Sequence, residues 1–147
     1  MPTAVYNKFD AFMGEIAKAT HNLQAPPTGQ TFKCFLTNRQ PLVTDTVKDA
    51  SMVEIAAGFG YLAGGQSASN SWSRTGATTT ISGVDIVWTA VGGNIGPFQH
   101  AVLYNSSAVG QNLVSWWSYP VALTLFDGES FTLDFGAGPS NVLFTLA

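Results

Sequence analysis

Charge is the scarcest ingredient of this sequence. Only 10% of its 147 residues are Asp, Glu, Lys or Arg, against roughly a quarter in an average soluble domain. Six basic and nine acidic residues leave a formal charge of −3. The basic ones, Lys8, Lys18, Lys33, Arg39, Lys48 and Arg74, are scattered along the chain. A reader of DNA or RNA neutralises phosphates with a basic stripe, so nucleic-acid binding is excluded as the main role. Cysteine is nearly missing: Cys34 stands alone, so no intrachain disulfide can staple the fold as in many small secreted domains. Long apolar runs are missing too. No stretch nears the roughly 20 residues of a spanning helix. The opening Met1-Pro2-Thr3-Ala4-Val5-Tyr6 lacks the basic segment and apolar core of a leader. These absences point to a chain made and folded in a reducing cytoplasm, with no membrane partner.

Apolar material is plentiful. Hydrophobic residues make up 46% of the chain and aromatics 12%, ample for the core of a domain of this length. With so little charge left to cover a free surface, part of that surface is expected to be buried against partners. A homo-oligomer, most simply a trimer, is the expected state.

Residues 4–22 carry the one helical period. Val5, Phe9, Phe12, Met13 and Ile16 recur at spacings of three and four, with Lys8, Asp10, Glu15 and Lys18 on much of the opposite side. Pro26-Pro27-Thr28-Gly29 ends this helix and serves as a linker. From Gly29 the period becomes two. Strands are expected over residues 31–37, 84–91, 98–104, 113–119, 121–126, 131–135 and 142–146, with Gly136 to Ser140 as a loop before the last. Residues 44–56 are ambiguous, with Thr44 or Asp45 able to cap a single helical turn. Residues 57–78, rich in Gly, Ala and Ser, read as a flap or an extended excursion. Asp127-Gly128 is a hairpin signal between residues 125–126 and 131–135. The expected fold is mainly β: an antiparallel β-sandwich or small barrel (residues 26–147) preceded by an N-terminal amphipathic α-helical arm (residues 1–25).

Residues able to carry chemistry are few, and each has a plainer role. His100 shares a strand face with Phe98, Val102 and Tyr104, but no nucleophile or carboxylate motif accompanies it, so a structural histidine is expected. His21 falls at a helix end, where its charged form meets the negative end of the helix dipole. Asp127, Glu129 and Asp134 are too closely spaced for a calcium loop. Gly58 to Gly65 lacks the Lys-Ser or Lys-Thr of a phosphate loop. Cys34 reads as a small packed side chain. No catalytic residue, metal site or cofactor is expected. Trp116-Trp117 is the most informative pair: neighbours in a strand point to opposite faces, so the second indole meets another subunit, a second internal core, or a sugar.

Several segments resemble small structural proteins of tailed-bacteriophage particles. They are Tyr6-Asn7-Lys8-Phe9, Phe35-Leu36-Thr37-Asn38 followed by Pro41, Glu54-Ile55-Ala56-Ala57-Gly58, Gly60-Tyr61 and Gly64-Gly65. Gly92-Gly93-Asn94-Ile95-Gly96-Pro97-Phe98 follows, with Ala101-Val102-Leu103-Tyr104-Asn105, then Trp116-Trp117 through Asp127-Gly128-Glu129 to Phe131-Thr132-Leu133-Asp134-Phe135. The resemblance implies a virion component without catalytic residues. Small size and low charge extend this to a capsid decoration or cement protein on the capsid surface, bound to the major capsid protein. A tail, neck or fibre component and a carbohydrate-binding β module are the alternatives. Tyr6, Phe9, Phe12, Met13, Ile16, Trp116 and Trp117 are the expected subunit or capsid contacts.

Overall fold

The computed structural model describes residues 4–135 and 142–146; the expected loop from Gly136 to Ser140 lies outside them. The described chain runs β1 (Val5–Lys8), α1 (Ala11–Ala17), β2 (Phe32–Thr37), a 3-10 turn (Ala50–Met52), β3 (Gln66–Ser67), β4 (Ser71–Thr75) and β5 (Thr78–Ser82). It continues with β6 (Ile86–Thr89), β7 (Ile95–Asn105), β8 (Leu113–Leu125), β9 (Ser130–Leu133) and β10 (Val142–Leu146). All strand pairs are antiparallel. They form a five-stranded sheet in the order β1-β8-β7-β2-β3, a three-stranded sheet β10-β5-β4, and a two-stranded ribbon β6-β9. Among the described residues the fold is mainly β with one α-helix, as expected, and the sheets are open; none of them closes into a barrel.

The five-stranded sheet is covered on both faces. Phe32, Cys34 and Leu36 of β2, Ala101 and Leu103 of β7, and Trp117 of β8 join side chains of the two smaller sheets, among them Ile81, Trp88, Phe131 and Phe144, in one large core. The alternate residues Phe35, Val102, Tyr104, Leu113 and Trp116 join Phe9 and Met52 in a second, smaller core. The loop between β2 and β3 covers that second face. Its backbone is pinned there by Asp10 N–H to the Val43 carbonyl (2.9 Å), Leu113 N–H to Thr46 (2.9 Å) and Lys48 N–H to Gln111 (2.9 Å). The 3-10 turn in this loop is capped by Asp49, not by Thr44 or Asp45: the Asp49 carboxylate accepts from Ser51 N–H at 2.9 Å.

The N-terminal helix differs from its expected extent. Val5–Lys8 is a strand, paired in register from Val5↔Ser118 to Lys8↔Ser115, and Phe9 N–H extends the ladder to the Val114 carbonyl. Only Ala11–Ala17 is helical, and Ala19, at φ 60°, turns the chain away. Tertiary pairing overrides a helical spacing that a seven-residue helix cannot sustain alone. The segment is not set apart as an arm, since Phe9 and Phe12 are buried in the two cores.

Two further expectations need correction. The strands placed on either side of Pro120 are one strand, β8. Pro120 falls where the β7–β8 register shifts between Phe98↔Leu123 and His100↔Ser118, an irregularity that tolerates a residue with no N–H. Asp127-Gly128 does form a turn, with Glu129 N–H bonded to the Phe126 carbonyl at 2.9 Å and Gly128 at φ 87°. It joins no hairpin, because β9 pairs with β6 rather than with β8. Residues 57–78 are an extended excursion containing β3 and β4.

Phe12 and Met13 are adjacent on α1, yet Phe12 is 1% exposed and Met13 47%. Phe12→Ala should cost about 3–5 kcal/mol, as for other buried Phe truncations. Met13→Ala should stay within about 0.5 kcal/mol, as at ordinary surface positions. Urea denaturation of both variants checks this, and equal losses would show that the helix is seated differently.

Candidate functional site

The seven expected contact residues divide sharply. Phe9, Phe12, Trp116 and Trp117 are buried within their own chain. Trp116 tilts against Phe9 at 4.5 Å between ring centroids, and Trp117 lies 5.4 Å from Phe135. The two indoles do point to opposite faces, and each face has its own core. A side chain buried in its own chain offers no area to a partner, so these four are corrected to core residues. Ile16 is partly buried against the large core. Tyr6 and Met13 are exposed. With Lys8, Phe12 and Val142–Leu146 they line a groove of about 390 Å³ between β1, α1 and β10.

The polar candidates are bound into the fold. His100 Nδ1 lies 2.9 Å from Ser118 Oγ, which also accepts from Trp116 Nε1 at 3.1 Å. The pair links β7 to β8 where His100 and Ser118 are register partners, and burial holds the imidazole below its ordinary pKa. His21 is not a charged helix cap. It lies between the rings of Phe12 (5.4 Å) and Phe32 (5.7 Å), and Asn105 Nδ2 donates to its Nδ1 at 3.0 Å. That contact needs the neutral ring, and burial lowers its pKa accordingly, with Glu15 opposing. Cys34 is fully buried and its thiol is pushed far up by desolvation, so it is not poised as a nucleophile.

Glu54 anchors the Gly-rich excursion. Its Oε1 accepts from Tyr61 Oη (2.7 Å) and Gly64 N–H (2.6 Å), and its Oε2 pairs with Lys48 Nζ at 2.8 Å. Lys48 also lies over the rings of Phe35 and Tyr104, at 5.1 and 5.5 Å. Tyr61 Oη in turn accepts from Leu36 N–H. These contacts pin Tyr61 under the loop and leave its neighbour Phe59 outside.

Phe59 belongs to the feature most suited to contact with another molecule. Three loop tips, from residues 58–61, 90–94 and 126–129, are tied together at one end of the molecule. Val91 N–H donates to Phe59 O (2.9 Å), Ala90 N–H to Glu129 O (2.9 Å), Gly128 N–H to Ala90 O (2.8 Å), and Gly92 N–H to Asp127 Oδ1 (2.7 Å). Glu129 Oε2 accepts from Phe126 N–H at 2.8 Å. The ring of Phe59 lies so close over Gly93 that a Cβ there would stand 2.4 Å from it. This frame presents Phe59 (54% exposed), Val91 (66%) and Phe126 (59%) to solvent. Phe59 also holds a left-handed backbone, φ 54°, a conformation that costs a bulky residue on the order of 1 kcal/mol. Gly58 and Tyr61 exchange both backbone hydrogen bonds across it. The sequence reading missed these three residues. The available signal was an aromatic flanked by glycines, Gly58-Phe59-Gly60, and a second one just before Asp127-Gly128, in turns where polar residues are the norm.

The chain matches no family model, no curated protein and no solved structure.

Both histidines titrate below the ordinary value of 6.5, so the unfolded chain binds more protons than the folded one near that pH. Stability contributed by the neutral rings is complete above about pH 6.5 and falls as acid is added. The melting temperature should therefore decline between about pH 7 and about pH 5, before carboxylates titrate. The variant His21→Gln/His100→Gln should flatten that slope. A wild-type curve level to about pH 5 would show that the imidazoles are not held neutral.

Proposed function

We propose that this chain is a structural protein of a tailed-phage particle, without catalysis, and most specifically a capsid decoration protein that bridges and stabilises neighbouring major capsid subunits. The sequence resemblance supplies the particle. The observation that carries the docking role is the rigid loop end with exposed Phe59, Val91 and Phe126. A cement protein binds the assembled shell better than the free subunits, so mass action favours the shell. A face that is already ordered loses little entropy on docking. In this reading copies group on the capsid surface, most simply as trimers at local three-fold positions.

Mass spectrometry and cryo-electron microscopy of purified particles test this. The expected result is density for a 15.5 kDa subunit on the head, with the loop end against the shell. Density confined to the neck, tail or fibres would favour that alternative location. Absence of the chain from particles would sink the virion reading.

One observation favours a second reading, a carbohydrate-binding module. Trp88, Trp116 and Trp117 are buried, but Trp72 is 50% exposed on β4, a strand in which every residue is exposed. Aromatic faces of this kind stack on sugar rings. Under this reading a glycan array should give a signal that Trp72→Ala removes, whereas no signal from the wild-type chain would end it.

A further inference from the structure

The loop end continues into a ribbon of one sign of charge. No Lys or Arg follows Arg74, and the acidic residues beyond it are Asp85, Asp127, Glu129 and Asp134. All four lie on the β6-β9 ribbon or its turns. Asp85 immediately precedes β6, and Asp134 immediately follows β9, at the end where Ile86 pairs with Leu133. Asp127 and Glu129 lie at the other end, where Thr89 pairs with Ser130. Ile86, Trp88, Phe131 and Leu133 point into the core, which leaves Val87, Thr89, Ser130 and Thr132 on the outer face. Asp127 and Glu129 have no ion-pair partner among the described residues; their carboxylates accept only backbone N–H groups of the turns.

From this charge pattern we infer that the loop end and the outer face of the ribbon form a docking surface for a basic segment of a protein partner, one that interleaves Lys or Arg with apolar side chains. The inference rests on the docking role proposed above and adds the chemistry of the occupant. Phe59, Val91 and Phe126 take the apolar side chains. The acidic turns attract the cations over a Debye length, and the exposed Phe faces accept a guanidinium or ammonium. Nucleic acid and anionic lipid are repelled by the same field. A second copy presenting this same face brings only further negative charge.

The probe is a fluorescein-labelled peptide of alternating Lys and Leu, with a Glu–Leu peptide as control, followed by fluorescence anisotropy. The full chain should bind the first and not the second. Raising NaCl from about 0.05 M to about 0.5 M should weaken binding by about tenfold or more. Asp127→Asn/Glu129→Gln keeps the acceptors for Gly92 and Phe126 N–H and removes only charge; it should weaken both the affinity and its salt dependence. Phe59→Ser/Phe126→Ser should weaken binding about tenfold or more, with an unchanged circular dichroism spectrum. Equal binding of both peptides would overturn the inference, as would unchanged affinity in the charge-neutral variant. Self-association that Phe59→Ser/Phe126→Ser removes would overturn it too, by giving the face to a second copy. Failure of the peptide assay leaves the particle test untouched, and a chain absent from particles can still show this binding, so the two readings fail separately.

Discussion

Burial of the central sheet on both of its faces is the constraint on which the rest of the molecule depends. A strand covered on one side alternates apolar and polar residues, whereas one covered on both sides must be apolar at nearly every position. Strands β2, β7 and β8 meet that demand over Phe32–Thr37, Ala101–Asn105 and Leu113–Trp117, where nearly every residue is buried. Each such strand needs two coverings. The three-stranded sheet and the ribbon cover one face. The second is covered by the loop between β2 and β3 together with Phe9. Much of the apolar content is therefore consumed inside one chain. The same scarcity of charge that suggests a partner-covered surface is also what a doubly covered sheet requires.

That constraint separates what is legible in the sequence from what is not. Strand character is local: β-branched and aromatic runs such as Phe32–Thr37 and Val142–Leu146 announce themselves. The opposite orientation of Trp116 and Trp117 follows from strand geometry alone. Which strand pairs with which is not local. Asp127-Gly128 has the chemistry of a hairpin turn, yet the strands beside it enter different sheets, because Phe131 and Leu133 fit against Ile86 and Trp88. The first residues mislead for a related reason. Val5, Phe9, Phe12 and Ile16 keep a helical spacing, but the free edge of β8 offers a ladder that a marginal helix cannot match.

The candidate surface was illegible on different grounds. Sequence patterns reward long apolar stripes, and those here are inside. The outward aromatics come singly, from turns distant in sequence, and only the folded frame brings Phe59, Val91 and Phe126 together. The frame depends on groups that have no motif. Glu54 carries a carboxylate into a nearly closed site because Tyr61, Gly64 and Lys48 satisfy it. Removing either Tyr61 Oη or Lys48 Nζ leaves a half-buried Glu54 oxygen with one partner fewer. This knot decides between the two readings that composition allows for the Gly-rich stretch, a flap or an extended excursion, in favour of the second.

Fixity is what gives the exposed aromatics meaning. Exposed apolar side chains are common on any protein, and Val109, which lies fully open on a turn, needs no partner to explain it. Phe59 is different. Its backbone is left-handed, as is that of the similarly exposed Val53, but its ring is also seated on Gly93. The ring gains contact with Gly93, but about half of it stays in water, and a glycine at the same position would relieve the strain. The fold therefore spends stability to hold an apolar group half exposed to solvent. The proposed contact role accounts for that arrangement: a left-handed backbone under a half-exposed aromatic, on a frame built from three separated loops.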